Sequence, residues 1–172
     1  MKIRNLTLSA LFAALMALCA WIQIPTGSVA FTLQTFALFL TLLLLGGKWG
    51  SVTVLVYLGL GFLGLPVFSG FQGGIGTLFG PSGGFLFGFM LTAWVYGLIT
   101  FLFKKSNVSR ILGLVLGLFS CYFTGWLWYC RFAPVNFFLW CAPFVIPDIL
   151  KLSLAFFLAK RINAVISPSE RT

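Results

Sequence analysis

Long stretches without a charged side chain, each near the length needed to cross a bilayer, limit this chain more than any other feature. The first runs from Leu6 to Ile24, and a helix needs roughly 20 apolar residues to span the hydrocarbon core. Pro, Gly and charged residues punctuate the chain into six such spans, predicted at about 6–24, 31–46, 49–66, 81–103, 110–130 and 147–166, with longer irregular segments at 67–80 and 131–146. Of the 172 residues, 60% are hydrophobic and 8% charged, whereas a soluble domain carries about 25% charged residues. These numbers exclude a soluble enzyme, a disordered tail and a nucleic-acid-binding module. The expected fold is an all-α membrane protein, a six-transmembrane-helix bundle over residues 1–172 as a single domain, with a ligand pocket under the extracellular loops.

The net charge of +9 comes from 11 Lys and Arg against two acids, Asp148 and Glu170. Cytoplasmic loops hold the excess of positive charge. With six spans and a cytoplasmic N-terminus, Lys2, Arg4, Lys48, Lys104, Lys105, Arg110, Lys160, Arg161 and Arg171 all face inward. Arg131 alone is outside, and Lys151 lies within the last span. The charge therefore sets topology, with both termini cytoplasmic. Met1-Lys-Ile-Arg4 before an apolar run looks like a signal peptide, but no small-residue cleavage site follows, so it is expected to remain as the first helix.

The chain has no histidine and four cysteines, Cys19, Cys121, Cys130 and Cys141, none in a C-x-x-C pair. Those spacings favour small apolar fillers over a metal site. A Cys130–Cys141 disulfide stays open if both reach the outer face.

In this orientation 67–80 and 131–146 share the outer side. Residues 70–84 hold seven glycines, Gly70, Gly73, Gly74, Gly76, Gly80, Gly83 and Gly84. Such a segment can fold tightly over a ligand or form a compact loop with none; it matches no phosphate-binding or dinucleotide fingerprint. An ionisable group inside a span costs roughly 2.5–3.5 kcal/mol on insertion scales and is a functional candidate by default. Asp148 and Lys151 are three apart and share a helix face. Pro147 is read as the helix start, placing Asp148 in the first turn at the positive dipole end. Two readings stand: a self-neutralising pair with Lys151 snorkelling outward, or a buried couple exchanging hydrogen bonds with a small polar ligand. Gln23, Thr32, Gln34 and Thr35 add polar groups at the same face, among Phe31, Phe36, Phe68, Phe71, Phe79 and Phe85, the usual make-up of a small-molecule pocket. Trp126, Trp128, Tyr129 and Trp140 fit an outer aromatic belt. Ala10, Ala13, Ala14 and Ala17 form two overlapping Ala-x-x-x-Ala pairs, suited to close approach by another helix, either a partner's or a neighbouring span.

With these motifs in order, the chain resembles the BioY family, the biotin-binding S components of energy-coupling factor (ECF) transporters. The likeness rests on Val29-Ala-Phe-Thr-Leu-Gln-Thr35, Gly64-Leu-Pro-Val-Phe68, Gly73-Gly-Ile-Gly76 with Gly80-Pro-Ser-Gly-Gly84, and Pro147-Asp-Ile-Leu-Lys151. One departure is Ile146-Pro147-Asp148, where the family usually shows Pro-Gly-Asp. The resemblance implies that Asp148 and Lys151 bind biotin's ureido head or valerate and that Gln72 lies in the loop closing over it. It places Thr32, Gln34, Phe68, Gly73 and Gly74 around the same pocket. It also implies that Ala10, Ala13, Ala14 and Ala17 meet the membrane coupling subunit EcfT, which works with two EcfA ATPases, in the bacterial cytoplasmic membrane. Biotin is then transported cargo, with no cofactor and no enzymatic step. A stand-alone proton-coupled secondary transporter working through Asp148 is the alternative.

Overall fold

The computed structural model describes residues 2–24, 30–104 and 106–166; Val29, Lys105, Glu170 and Arg171 lie outside the described residues. Helix α1 (Lys2–Trp21) ends in a two-residue strand β1 (Gln23–Ile24), paired antiparallel with β2 (Phe31–Thr32). Helix α2 (Gln34–Phe62) follows, then a 3-10 turn at Ser69–Phe71 and the short α3 (Ile75–Phe79). Three long helices complete the order: α4 (Gly83–Leu102), α5 (Asn107–Tyr129) and α6 (Phe137–Ile166). Among the described residues five helices are long and apolar enough to cross a membrane.

The expected second and third spans form one element with a break. Gly46 has φ 75 and ψ 174 inside α2, a conformation open to glycine and costly for residues with a Cβ. The half before it, Gln34 to Leu45, is buried almost all round and rises about 18 Å at 1.5 Å per residue; Ala37, Leu38, Phe39 and Leu42 are fully enclosed. It forms the core of the bundle, and α1, α4 and α6 pack against α2.

The last helix is corrected more deeply. It starts at Phe137, ten residues before Pro147, and holds both Pro143 and Pro147 inside it. Asn136 starts it, its Oδ1 accepting the Phe138 N–H at 3.0 Å, as a capping side chain does. Proline lacks the N–H that closes a helical turn, and membrane helices tolerate this where neighbours satisfy the freed groups. Asp148 is therefore more than two turns inside α6 and receives nothing from the helix dipole. The segment 131–146, expected to be irregular, is mostly the beginning of this helix.

Close packing of α4 on α5 depends on small residues. A Cβ at Gly84 would lie 2.4 Å from the Trp128 Cβ, and one at Gly88 would lie 2.8 Å from the Cys121 Sγ. Thr92 bonds across the same seam to the Gly117 carbonyl at 2.9 Å. Outward, large apolar side chains such as Phe101, Phe119 and Phe157 stand exposed. A surface like this is stable only against lipid, and the protein is an integral membrane protein.

Candidate functional site

A cavity of about 230 Å³ opens where α1 ends, between the starts of α2 and α4, the Ser69–Gln72 turn, and the middle of α5 and α6. One wall is a polar network. Lys151, 7% exposed, donates to the Thr32 carbonyl at 2.6 Å, to Thr35 Oγ1 at 2.9 Å and to Asp148 Oδ1 at 2.8 Å. These three acceptors use all three ammonium N–H groups. Asp148, 2% exposed, also accepts the Thr35 hydroxyl on Oδ1 at 2.8 Å and the Tyr122 hydroxyl on Oδ2 at 2.5 Å. The Phe31 ring lies 3.7 Å from the ammonium, within cation–π range. A buried charge must be paired and hydrogen-bonded to be tolerated, and here both charges are. A carboxylate offers about four lone-pair sites; three are taken, which leaves one on Oδ2.

A second polar string runs beside it. The Thr32 hydroxyl donates to Gln34 Oε1 at 2.9 Å, the Gln34 amide donates to the Tyr57 hydroxyl, and Tyr57 donates to the Val67 carbonyl at 3.0 Å. The facing wall is aromatic, formed by Phe68, Phe85, Phe89 and Phe144. Phe68 is 1% exposed and fills the space above Gly61, where a Cβ would lie 1.9 Å from its ring. Phe85 stacks on Trp140, which stacks on Tyr129.

The roof is tied to α1. Trp21 donates to the Pro66 carbonyl at 2.8 Å and stacks on Phe71 at 4.8 Å, while Ser69 bonds to Gln23. Phe71 has φ 58, a left-handed conformation that costs a bulky residue energy. The Trp21 stack and the Phe68–Gln72 backbone bridge hold it there.

Asp148, Lys151, Thr32, Gln34, Phe68 and Gln72 all line this cavity. Gly73 and Gly74 do not. A Cβ on Gly73 would lie 2.2 Å from the Leu65 carbonyl, and Gly74 has φ 87 at the start of α3 with its N–H on the Gly61 carbonyl. Their glycines answer backbone packing under the roof. The alanine stripe also divides: Ala13 and Ala17 are buried in the core, whereas Ala10 and Ala14 are exposed. All four thiols are free, so Cys130 and Cys141 are not paired. The tryptophans read as an outer aromatic belt also tie down the connecting segments. Trp128 donates to the Gly80 carbonyl at 3.0 Å, Trp126 to the Val135 carbonyl at 2.9 Å, and Tyr129 is buried. Tyr122, Tyr57, Phe89 and Phe144 were not foreseen from sequence. A tyrosine inside an apolar run, whose hydroxyl needs a partner when buried, was the available signal for the first two.

A helical membrane protein with a roofed, mixed polar and aromatic cavity belongs to the class that captures a small solute. The chain matches the BioY family over residues 1–168, and it belongs to that family. It is 40% identical over 165 residues to the probable biotin transporter BioY of Pyrococcus horikoshii, covering 95% of this chain and 98% of that one. It is also 40% identical over 167 residues to the biotin transporter BioY of Thermotoga maritima, covering 93% and 96%. Its fold is similar to the crystal structure of the S-component for biotin from an ECF-type ABC transporter, with a TM-score of 0.85, 26% identity, and 95% and 92% of the two chains covered. The family members are transporters, and the protein is not an enzyme.

Proposed function

We propose that this chain takes up biotin as the substrate-binding membrane component of an ECF-type transporter. The observation that supports it best is the buried Asp148–Lys151 pair on a roofed cavity, in a chain whose full-length relatives are named biotin transporters. In this reading a ureido N–H of biotin occupies the lone-pair site left on Asp148 Oδ2. Lys151, with its donors already engaged, holds the carboxylate in place. The ring system lies against Phe68, Phe85 and Phe144, and Gln72 and Ser69 close over it. Gly73 and Gly74 support that roof from beneath.

In this reading the break at Gly46 separates a short, incomplete crossing from the one after it, so that six helical segments enter the bilayer, with both termini cytoplasmic and the cavity facing outward. Lys48, Lys104, Arg110, Lys160 and Arg161 then fall on the inner side. The chain carries no phosphate-loop motif, so concentrative uptake draws on separate EcfA ATPases through EcfT. The exposed pair Ala10 and Ala14 offers the face for EcfT. The relatives' names do not favour proton-coupled secondary transport through Asp148.

Binding of biotin to the purified protein tests the reading, with one ligand per chain expected. Asp148→Asn keeps the shape and removes the charge. A hydrogen bond to a charged acceptor contributes roughly 1.5–3 kcal/mol, so affinity should fall about tenfold or more; because the substitution also leaves Lys151 without its counter-charge, affinity is measured on the monodisperse fraction. Unchanged affinity in Asp148→Asn would remove Asp148 from the site. Cysteines placed at Gln72 and Asn136 should be labelled from outside intact cells and one at Lys104 should not; the reverse pattern overturns the orientation.

A further inference from the structure

At the opposite end of the bundle lies a second, smaller cavity of about 140 Å³. Leu43 of α2 and Phe156 of α6 give it apolar walls, and Asn107 and Arg110 of α5 face Lys160 and Asn163 of α6 across it. Its polar lining is of one sign. Asp148 is the acidic residue among the described ones, and it is paired with Lys151 in the first cavity, so Arg110 and Lys160 meet no described carboxylate. The α5 terminus contributes little on its own account, because the Ser106–Ser109 capping box already takes the Ser109 and Ser106 N–H groups. What remains is a concave site with a guanidinium, an ammonium and two carboxamides converging from two helices.

We infer that this cavity binds a phosphate group, that of an anionic phospholipid headgroup. A guanidinium matches phosphate oxygens with two parallel N–H bonds, and an ammonium adds a point charge. Basic pockets between membrane helices are suited to such headgroups. Lipid as the source is favoured by exposed apolar side chains near the lining residues in sequence: Val108, next to Asn107 on α5, is 75% exposed, and Phe157, three positions before Lys160 on α6, is 58% exposed. The headgroup would bridge α5 and α6, which make few direct contacts with each other.

The test uses the full chain in a non-ionic detergent, titrated with dioleoyl-phosphatidylglycerol or dioleoyl-phosphatidylcholine and read by native mass spectrometry. Each cation near an anionic headgroup contributes about 1 kcal/mol, so two predict a preference for phosphatidylglycerol of roughly thirtyfold. Arg110→Gln with Lys160→Gln should bring the preference close to one, and Arg110→Lys, which keeps the charge but loses the paired N–H bonds, should retain only part of it. Where the double variant is poorly folded, Lys160→Gln alone should still reduce the preference about fivefold. Equal binding of the two lipids by the unaltered protein, or a preference that survives the double substitution, overturns the site. Inorganic phosphate at millimolar concentration should not displace phosphatidylglycerol; full displacement would overturn the lipid as its source. None of these outcomes depends on biotin.

Discussion

At one end of the bundle Lys151 is 7% exposed, with three acceptors within 2.9 Å. At the other, Lys48, Lys104 and Arg161 stand exposed with no described carboxylate beside them. The same residue type thus does two kinds of work. In a low-dielectric interior a charge is tolerable only with its partners in place, so its geometry is specified to tenths of an ångström. At the membrane surface water and counter-ions satisfy the charge, and only its side of the bilayer matters.

The largest effect should come from breaking the buried pair. Lys151→Met leaves Asp148 with Thr35 and Tyr122 but no cation, and removing one partner of a buried pair costs about 3–5 kcal/mol. Loss of monodisperse protein, or a sharply lowered unfolding temperature, is expected. Combining it with Asp148→Asn should recover part of that loss, giving a double-mutant coupling that independent surface charges would not show. Tyr122→Phe is milder. It removes one hydrogen bond to a charged acceptor, worth about 1.5–3 kcal/mol, and biotin affinity should fall while the fold persists.

A third substitution carries the comparison of buried and exposed positions onto α1. Ala13→Leu forces a large side chain into a filled core at a cost of about 1–3 kcal/mol and should lower thermal stability. Ala14→Leu, on the exposed face, should leave stability and biotin binding nearly unchanged and impair assembly with the coupling subunit in a co-purification assay. If Ala14→Leu instead reduces biotin binding, the exposed face is not the partner surface. The smallest effects belong to the cation end: Lys48→Gln and Lys104→Gln should each move stability by less than about 0.5 kcal/mol, measured by thermal unfolding.

How far the site could be read from sequence follows from distance along the chain. The Asp148–Lys151 pair was legible because residues three apart on one helix lie on the same face. Thr35 was legible only as a polar group at the right face; that it bonds to a residue 113 positions away is a fact of packing. Tyr122 gave no sign of its role, because nothing local ties it to Asp148 across 26 residues. Pro147 misled, since proline marks a helix start in water more reliably than in a membrane helix, where its missing hydrogen bond can be tolerated. The glycines at 83 and 84 were readable as part of a tight segment, but whether they faced a ligand or α5 was not.

By itself the sequence determined that the chain folds as apolar helices in lipid, that its cations gather toward one end, and that its buried acid has a local cation. Only the tertiary structure decided which side of each helix faces inward. Ala13 and Ala14 differ by one residue and end in opposite environments, as do Phe68 and Phe71. The reason lies in the solvent. In water an apolar stripe marks the buried face, but lipid tails are as apolar as a protein core, so hydrophobicity no longer separates inside from outside. Small residues, glycine contacts and the few polar partners choose the faces, and those choices exist only once the helices have met.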